Sequence, residues 1–255
     1  MDELQAVLKQ IRESRGHRAE QTVDRLQVGF YILSRNRDEL KPALEKVADP
    51  TFTFALLAMK AQDPSDIAFT AILSEVSRLL HNYLAAARSV VEHTRNIIKS
   101  EYRGTPVHDE YMAEVQRRFM APMPKFVQDL RGFFLHYDLG TVGAQFNFKS
   151  SSGYSSGVYI PVKRLREYGR WSKEAEVYLS NADTQLDIMD VIAAYSRVAE
   201  DFQEWLVKLL ARTHRGDFAE LSGLQEAAKR LLDESQKGGG VIEARLPLDH
   251  ETAPL

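Results

Sequence analysis

The chain of 255 residues is 44% apolar and 27% charged, with 14 glycines, 9 prolines, no cysteine and a formal net charge of −3. That length and apolar share suffice for a packed core in one large or two small domains, and the scarcity of glycine and proline favours long helices over many short strands. Disulfides, thiolate nucleophiles and thiolate metal sites are excluded, and the charge balance removes any global attraction to nucleic acid, so such binding would need a local patch.

Residues 1–18 mix acids and bases and lack the apolar core of a signal peptide. No apolar run reaches the roughly 18 residues of a membrane span. With cysteine absent, the expectation is a cytoplasmic protein.

In chain order, residues 1–34 read as an amphipathic helix broken near Arg15–Gly16, with Val23, Leu26, Val28, Tyr31 and Ile32 at near-helical spacing. Arg37 to Val47 reads as a second, short helix closed by Asp49–Pro50, and Thr51 is placed to cap a third that carries Phe54, Leu56, Leu57 and Met59. The longest helix starts at Asp63–Pro64–Ser65 and keeps a helical period from Ile67 to about Lys99, ending before Gly104–Thr105–Pro106. Another spans His108 to Phe119. Ala121-Pro-Met-Pro124 breaks the pattern, and a further helix carries Phe126, Val127, Leu130, Phe133 and Phe134, stopping near Leu139–Gly140.

The period then changes. Val142–Phe148 and Val158–Val162 alternate around a Gly/Ser-rich segment, Lys149–Gly157, which predicts a β-hairpin whose second strand, holding Pro161, lies at a sheet edge. Gly153-Tyr-Ser-Ser-Gly157 matches the spacing of a nucleophile elbow, but strands on both sides read it as a hairpin loop. Helices resume at Ser172. Asp183 or Thr184 caps the next, which runs from Leu186 to Leu209, and a last helix spans Phe218 to Leu232 before a flexible tail opens at Gly238–Gly240.

The chemistry-bearing motif is Arg131-Gly-Phe-Phe-Leu-His136. Histidine titrates near neutral pH and suits proton transfer, while arginine offers a fixed charge and a forked donor set for phosphate. Together they could activate an RNA 2′-hydroxyl and stabilise a pentacoordinate phosphorus without a metal. Five residues of separation is about 140° around an ideal helix. Convergence on one phosphate therefore needs a bent Arg arm or a distorted helix, which Gly132 would ease.

The segment Asp129-Leu-Arg-Gly-Phe-Phe-Leu-His-Tyr137, after a long helix with polar residues inside it, resembles the signature of HEPN proteins, over residues 64–139. The resemblance implies a helical bundle that dimerises and acts as a metal-independent ribonuclease, with the R-x4–6-H motifs of two protomers forming one composite site. It implies Arg131 as the phosphate-binding residue, His136 as the general acid/base, RNA as partner and no cofactor or metal. The family commonly has a polar residue after the arginine, where this chain has Gly132.

His81, Asn82, Arg88 and His93 are candidate supporting residues from the long helix, although Arg88 also suits an i,i+4 pair with Glu92. Lys163, Arg164, Arg166, Arg170 and Lys173, interleaved with Tyr168 and Trp171, form a candidate nucleic-acid-binding patch. His108-Asp-Glu110 opens a helix, where acids are favoured by the dipole, and makes a poor metal site.

The fold class expected is mainly α: a multi-helix bundle with one inserted β-hairpin. Its segments are N-terminal helices (1–62), a HEPN-like core (63–141), the hairpin (142–162), C-terminal helices packing on the core (163–236) and a tail (237–255). The functional expectation is a HEPN-like ribonuclease or RNA-binding effector, a homodimer. The alternative is a non-catalytic helical interaction or scaffold protein with a protein partner.

Overall fold

The computed structural model describes residues 2–65, 67–138, 142–149 and 153–237. The protein is mainly α. The helices are α1 (Asp2–Glu13), α2 (Arg15–Ala48), α3 (Pro50–Gln62), α4 (Ala68–Tyr102), α5 (Pro106–Phe119), α6 (Pro122–His136), α7 (Val162–Arg166), α8 (Lys173–Ser180), α9 (Ile188–Thr213) and α10 (Arg215–Lys237). The strands are β1 (Gly143–Lys149), β2 (Gly153–Pro161) and β3 (Gln185–Asp187). Among the described residues, no helix is long and apolar enough to cross a membrane. The proposed tail falls almost wholly outside the described residues.

Two compact units are present, Met1–Gln21 with His214–Leu255, and Thr22–Thr213. In the first, α1 lies along α10, with Leu4, Ala19, Leu221 and Ala228 buried. Ser14 makes the break between α1 and α2: its hydroxyl accepts from the His17 N–H at 3.1 Å and donates to the Ile11 carbonyl at 2.8 Å. Gly16 is there for proximity. A Cβ built on it would lie 2.3 Å from the Asp217 carbonyl oxygen and 2.7 Å from the Leu221 Cβ.

The second unit is built around α4, whose buried residues include Val76, Leu80, Tyr83, Leu84, Ala87 and Ile98. Phe119 meets Phe202 edge to face at 5.0 Å, and Phe30 and Tyr111 close on the same ring. Such pairs add to the large apolar area that each ring buries. The Tyr83 hydroxyl, wholly buried, bonds Ser196 at 2.8 Å, and burial pushes it up to about 12.

Several boundaries differ from the sequence expectations, each for a local reason. The two helices expected over 1–34 and 37–47 join into the 34-residue α2, because Ser34–Asn36 contains no breaker and Pro42 costs only one i→i−4 bond. Asp49, not Thr51, caps α3, accepting from the Thr51 and Phe52 N–H groups. The long helix begins at Ala68, because Asp63 closes a turn on Ser65 instead of starting the helix. The break expected at Ala121–Pro124 is present between α5 and α6, and Pro122 and Pro124 fall in the first turn of α6, where the first N–H groups have no intrahelical partner to lose.

The hairpin exists, but a third strand was missed. The order is β1-β2-β3, antiparallel throughout, so β2 is central and Pro161 is its last residue, not part of an edge strand. At that end Pro161 faces Gln185 and the next N–H, of Val162, bonds the Thr184 carbonyl at 3.0 Å. Gly153–Gly157 is strand, not loop, and pairs with Gln145–Lys149. Asp187, rather than Asp183 or Thr184, caps α9 through the Met189 N–H at 2.8 Å.

Gly16→Ala is expected to lower stability by about 1–3 kcal/mol, the cost of overpacking, in chemical denaturation. A second expectation concerns Glu114 on α5. The Arg117 hydrogen bond chiefly, with Arg118 adding to it against the opposing effect of burial, holds its carboxyl at about 2 rather than 4.5. A depressed folded-state pKa gives stability that is present above about pH 4.5 and lost as pH falls toward 2. The thermal midpoint of the wild type should therefore exceed that of Glu114→Gln at neutral pH, with the difference shrinking across that acidic window.

Candidate functional site

α6 carries the Arg/His motif, and its packing decides where the two side chains go. Phe126, Val127, Leu130, Phe133 and Phe134 are buried, at the i, i+1, i+4, i+7, i+8 spacing of one helix face. That face meets α4, α8 and α9. Phe133 stacks on Trp171 at 5.9 Å and takes the edge of Tyr168 at 5.5 Å, while Phe126 stacks on Tyr178 at 4.8 Å. Asp129, beside the stripe, accepts from Lys125 at 3.0 Å and from the backbone N–H of Ser172 at 3.0 Å. Ser172 in turn caps α8 by accepting from Ala175. One carboxylate thus ties the middle of α6 to the start of α8.

Arg131 and His136 leave opposite flanks of this face. Taking Leu130 as the centre of the buried arc, Arg131 lies about 100° to one side and His136 about 120° to the other. α6 is α-helical from Pro122 to His136, which keeps the two side chains about 140° apart around the axis. Between them, on the outer face, is Gly132, where a Cβ would stand 3.1 Å from the Tyr168 hydroxyl oxygen. The hydroxyl of the buried Tyr168 thus lies against α6 at Gly132. Arg131 is half-buried and its Nε is buried without a hydrogen-bond partner; among the described residues it joins no ion pair. His136 is exposed as the last residue of α6.

The four α4 candidates do not form one stripe. His81 and Arg88 project within about 20° of each other, as do Asn82 and His93, but the two pairs stand roughly 120° apart. Arg88 is bonded to Glu92 at 2.6 Å, as the i,i+4 spacing allows. Near Arg88 is the one feature of this region not foreseen, Tyr195 on α9. Its hydroxyl is buried without a hydrogen-bond partner, and burial raises its pKa strongly against the lowering effect of the Arg88 charge. An aromatic inside an apolar helical period gave no sign in the sequence that it would be left so.

The basic patch is only partly available. Arg164 is held by Asp138 at 3.0 Å and Glu167 at 2.6 Å, and Arg166 donates to the Leu179 carbonyl at 2.7 Å. Lys163, Arg170 and Lys173 are exposed. The interleaved aromatics, expected as candidates for base stacking, are core residues instead. Tyr168 is 7% exposed, and Trp171 packs on Phe126 and Phe133 while its Nε1 donates to the Leu165 carbonyl at 2.7 Å. Beside them is an open groove of about 480 Å³, lined by Arg166, Tyr168, Trp171 and Glu176. Another of about 380 Å³, at the end of α8, carries Asp183, Asp187 and Asp190 with Tyr159 and Tyr178. Burial, joined by the Asp190 charge, raises the Asp187 carboxyl against the cap bond from Met189. That acidity repels a phosphate backbone. Two partly open pockets of about 20 Å³ each, one lined by Arg37 and Glu200 and one by Thr94, have room for a single water. Among the described residues no three His, Asp or Glu side chains stand together as a metal site.

Because Asp129 accepts from the half-buried Ser172 N–H, Asp129→Ala is expected to cost about 1 kcal/mol in urea denaturation, through loss of that hydrogen bond.

No protein-family model, no curated protein and no solved structure matches this chain.

Proposed function

We propose that this protein is a non-catalytic helical scaffold that acts by docking another protein chain. What supports this reading is the divergence of Arg131 and His136 across α6, with the Tyr168 hydroxyl against the helix at Gly132. General acid/base chemistry on one phosphate requires both groups within hydrogen-bond reach of it, and a guanidinium and an imidazole on opposite flanks of a buried stripe do not meet that condition. The buried Tyr168 and the half-buried Trp171, packed against the core, support the same reading. The reading takes the protein to be cytoplasmic, in keeping with a chain free of cysteine.

One observation favours a second reading, the HEPN-like ribonuclease. Arg131 holds a half-buried charge with no carboxylate beside it among the described residues, which leaves it free for an anion. In that reading RNA is the partner, and the site is completed by Arg131 and His136 of a second protomer.

Incubation of the purified chain with total RNA and a chelator, beside Arg131→Ala and His136→Ala, separates the two. The scaffold reading expects intact RNA in all three reactions. Cleavage by the wild type that disappears in both variants, with unchanged thermal midpoints, would overturn it in favour of the nuclease.

A further inference from the structure

α2 is apolar on two opposite faces over a short stretch. Leu26, Phe30 and Leu33 enter the core of the second unit, and Gly29 brings the helix against Val90, with a built Cβ 3.3 Å from Val90 Cγ2. On the other side Val28, Tyr31 and Ile32, at i, i+3 and i+4, are 57%, 64% and 47% exposed. A helix that is hydrophobic all round is ordinarily covered all round, and a contiguous apolar group framed by charge marks a contact surface.

The frame is Asp24 one turn before the stripe and Arg35 one turn after it. Both are exposed, both project within about 40° of Val28, and neither joins an ion pair among the described residues. The neighbouring charges are engaged elsewhere: Arg25 with Glu101 at 2.8 Å, and Asp38 with Arg37 at 2.9 Å. Asp24 and Arg35 lie about 16 Å apart along the axis, nearly symmetric about the apolar group.

We infer that this stripe is a homodimer contact in which α2 of one protomer crosses α2 of a second copy antiparallel, about a two-fold axis near Phe30. This deepens the scaffold reading, on which it rests, by naming the docked chain as a second copy. The argument for a second copy is charge complementarity. In the antiparallel arrangement Val28 faces the partner's Tyr31, and Asp24 faces the partner's Arg35, twice by symmetry. A parallel arrangement would set aspartate against aspartate and arginine against arginine. Packed helices diverge away from the crossing point, so the contact is confined to about three turns. Three apolar side chains a side fall short of the roughly 800 Å² per partner of a standard stable interface, so the dimer is weak and reversible.

Sedimentation velocity on the full chain across roughly 1–100 µM, the range of a weak interface, tests this. The wild type is expected to shift from monomer to dimer. Tyr31→Glu, Asp24→Arg and Arg35→Asp should each weaken the dimer by about tenfold or more, and the double reversal Asp24→Arg/Arg35→Asp should restore it, because the pairing is rebuilt with its signs exchanged. All three positions are exposed, and far-UV circular dichroism should be unchanged. A monomer at every concentration, or a dimer indifferent to Tyr31→Glu, overturns the inference. So does a dimer broken by the single reversals and not rescued by the double one. None of these results depends on RNA cleavage, so this inference and the scaffold reading can fail separately.

Discussion

The buried face of α6 constrains the rest of the second unit. Phe126, Leu130 and Phe133 must all point inward, against α4, α8 and α9, and that fixes the rotation of the helix about its own axis. Once the rotation is fixed, every other side chain on α6 is assigned a direction. Asp129 reaches α8 and caps no helix of its own. Arg131 goes to one margin and His136 to the other. Rotation of the helix could not align the last two, since both turn with it and keep about 140° between them, and each large core side chain holds that rotation by contributing on the order of 1.5–3 kcal/mol through burial.

The polar groups around α6 serve the same packing. Tyr168 and Trp171, interleaved with the basic residues, close over Phe133, and Trp171 finds its hydrogen bond in the Leu165 carbonyl. Arg164 and Arg166 are drawn into local bonds with Asp138, Glu167 and Leu179. The segment between β2 and α8 is therefore a structural clasp with a charged outer surface, of which Lys163, Arg170 and Lys173 remain exposed. Tyr195 is the exception: a hydroxyl buried without a bond, within reach of the Arg88 charge, is a cost the core carries with no compensating hydrogen bond.

Elsewhere the surface is simple. The grooves near α8 differ in charge, one holding Arg166 against Glu176 and the other three aspartates. α2, with Val28, Tyr31 and Ile32, and α3, with Phe54, Leu57 and Met59, expose large apolar side chains.

Composition and period alone determined that the protein is mainly α, that α4 is its longest regular element, and that a hairpin interrupts the helices after residue 142. These follow from spacing that repeats every three to four residues or every two, which needs no knowledge of neighbours. The Arg88–Glu92 pair was legible for the same reason, because its partners lie one turn apart on one helix. What only the tertiary structure decided has partners far away in the chain. The short strand β3 exists because β2 offers it an open edge, and Pro161 consequently ends a central strand. Prolines 122 and 124 could be read as a break or a beginning until α6 had a surface to pack on. The spacing of Arg131 and His136 was visible in the sequence, and so was their angle. That Tyr168, some thirty-six residues beyond Gly132, would lie against that glycine was not, because its position is set by aromatic packing on Phe133, Tyr137 and Trp171 and not by any local preference of the chain.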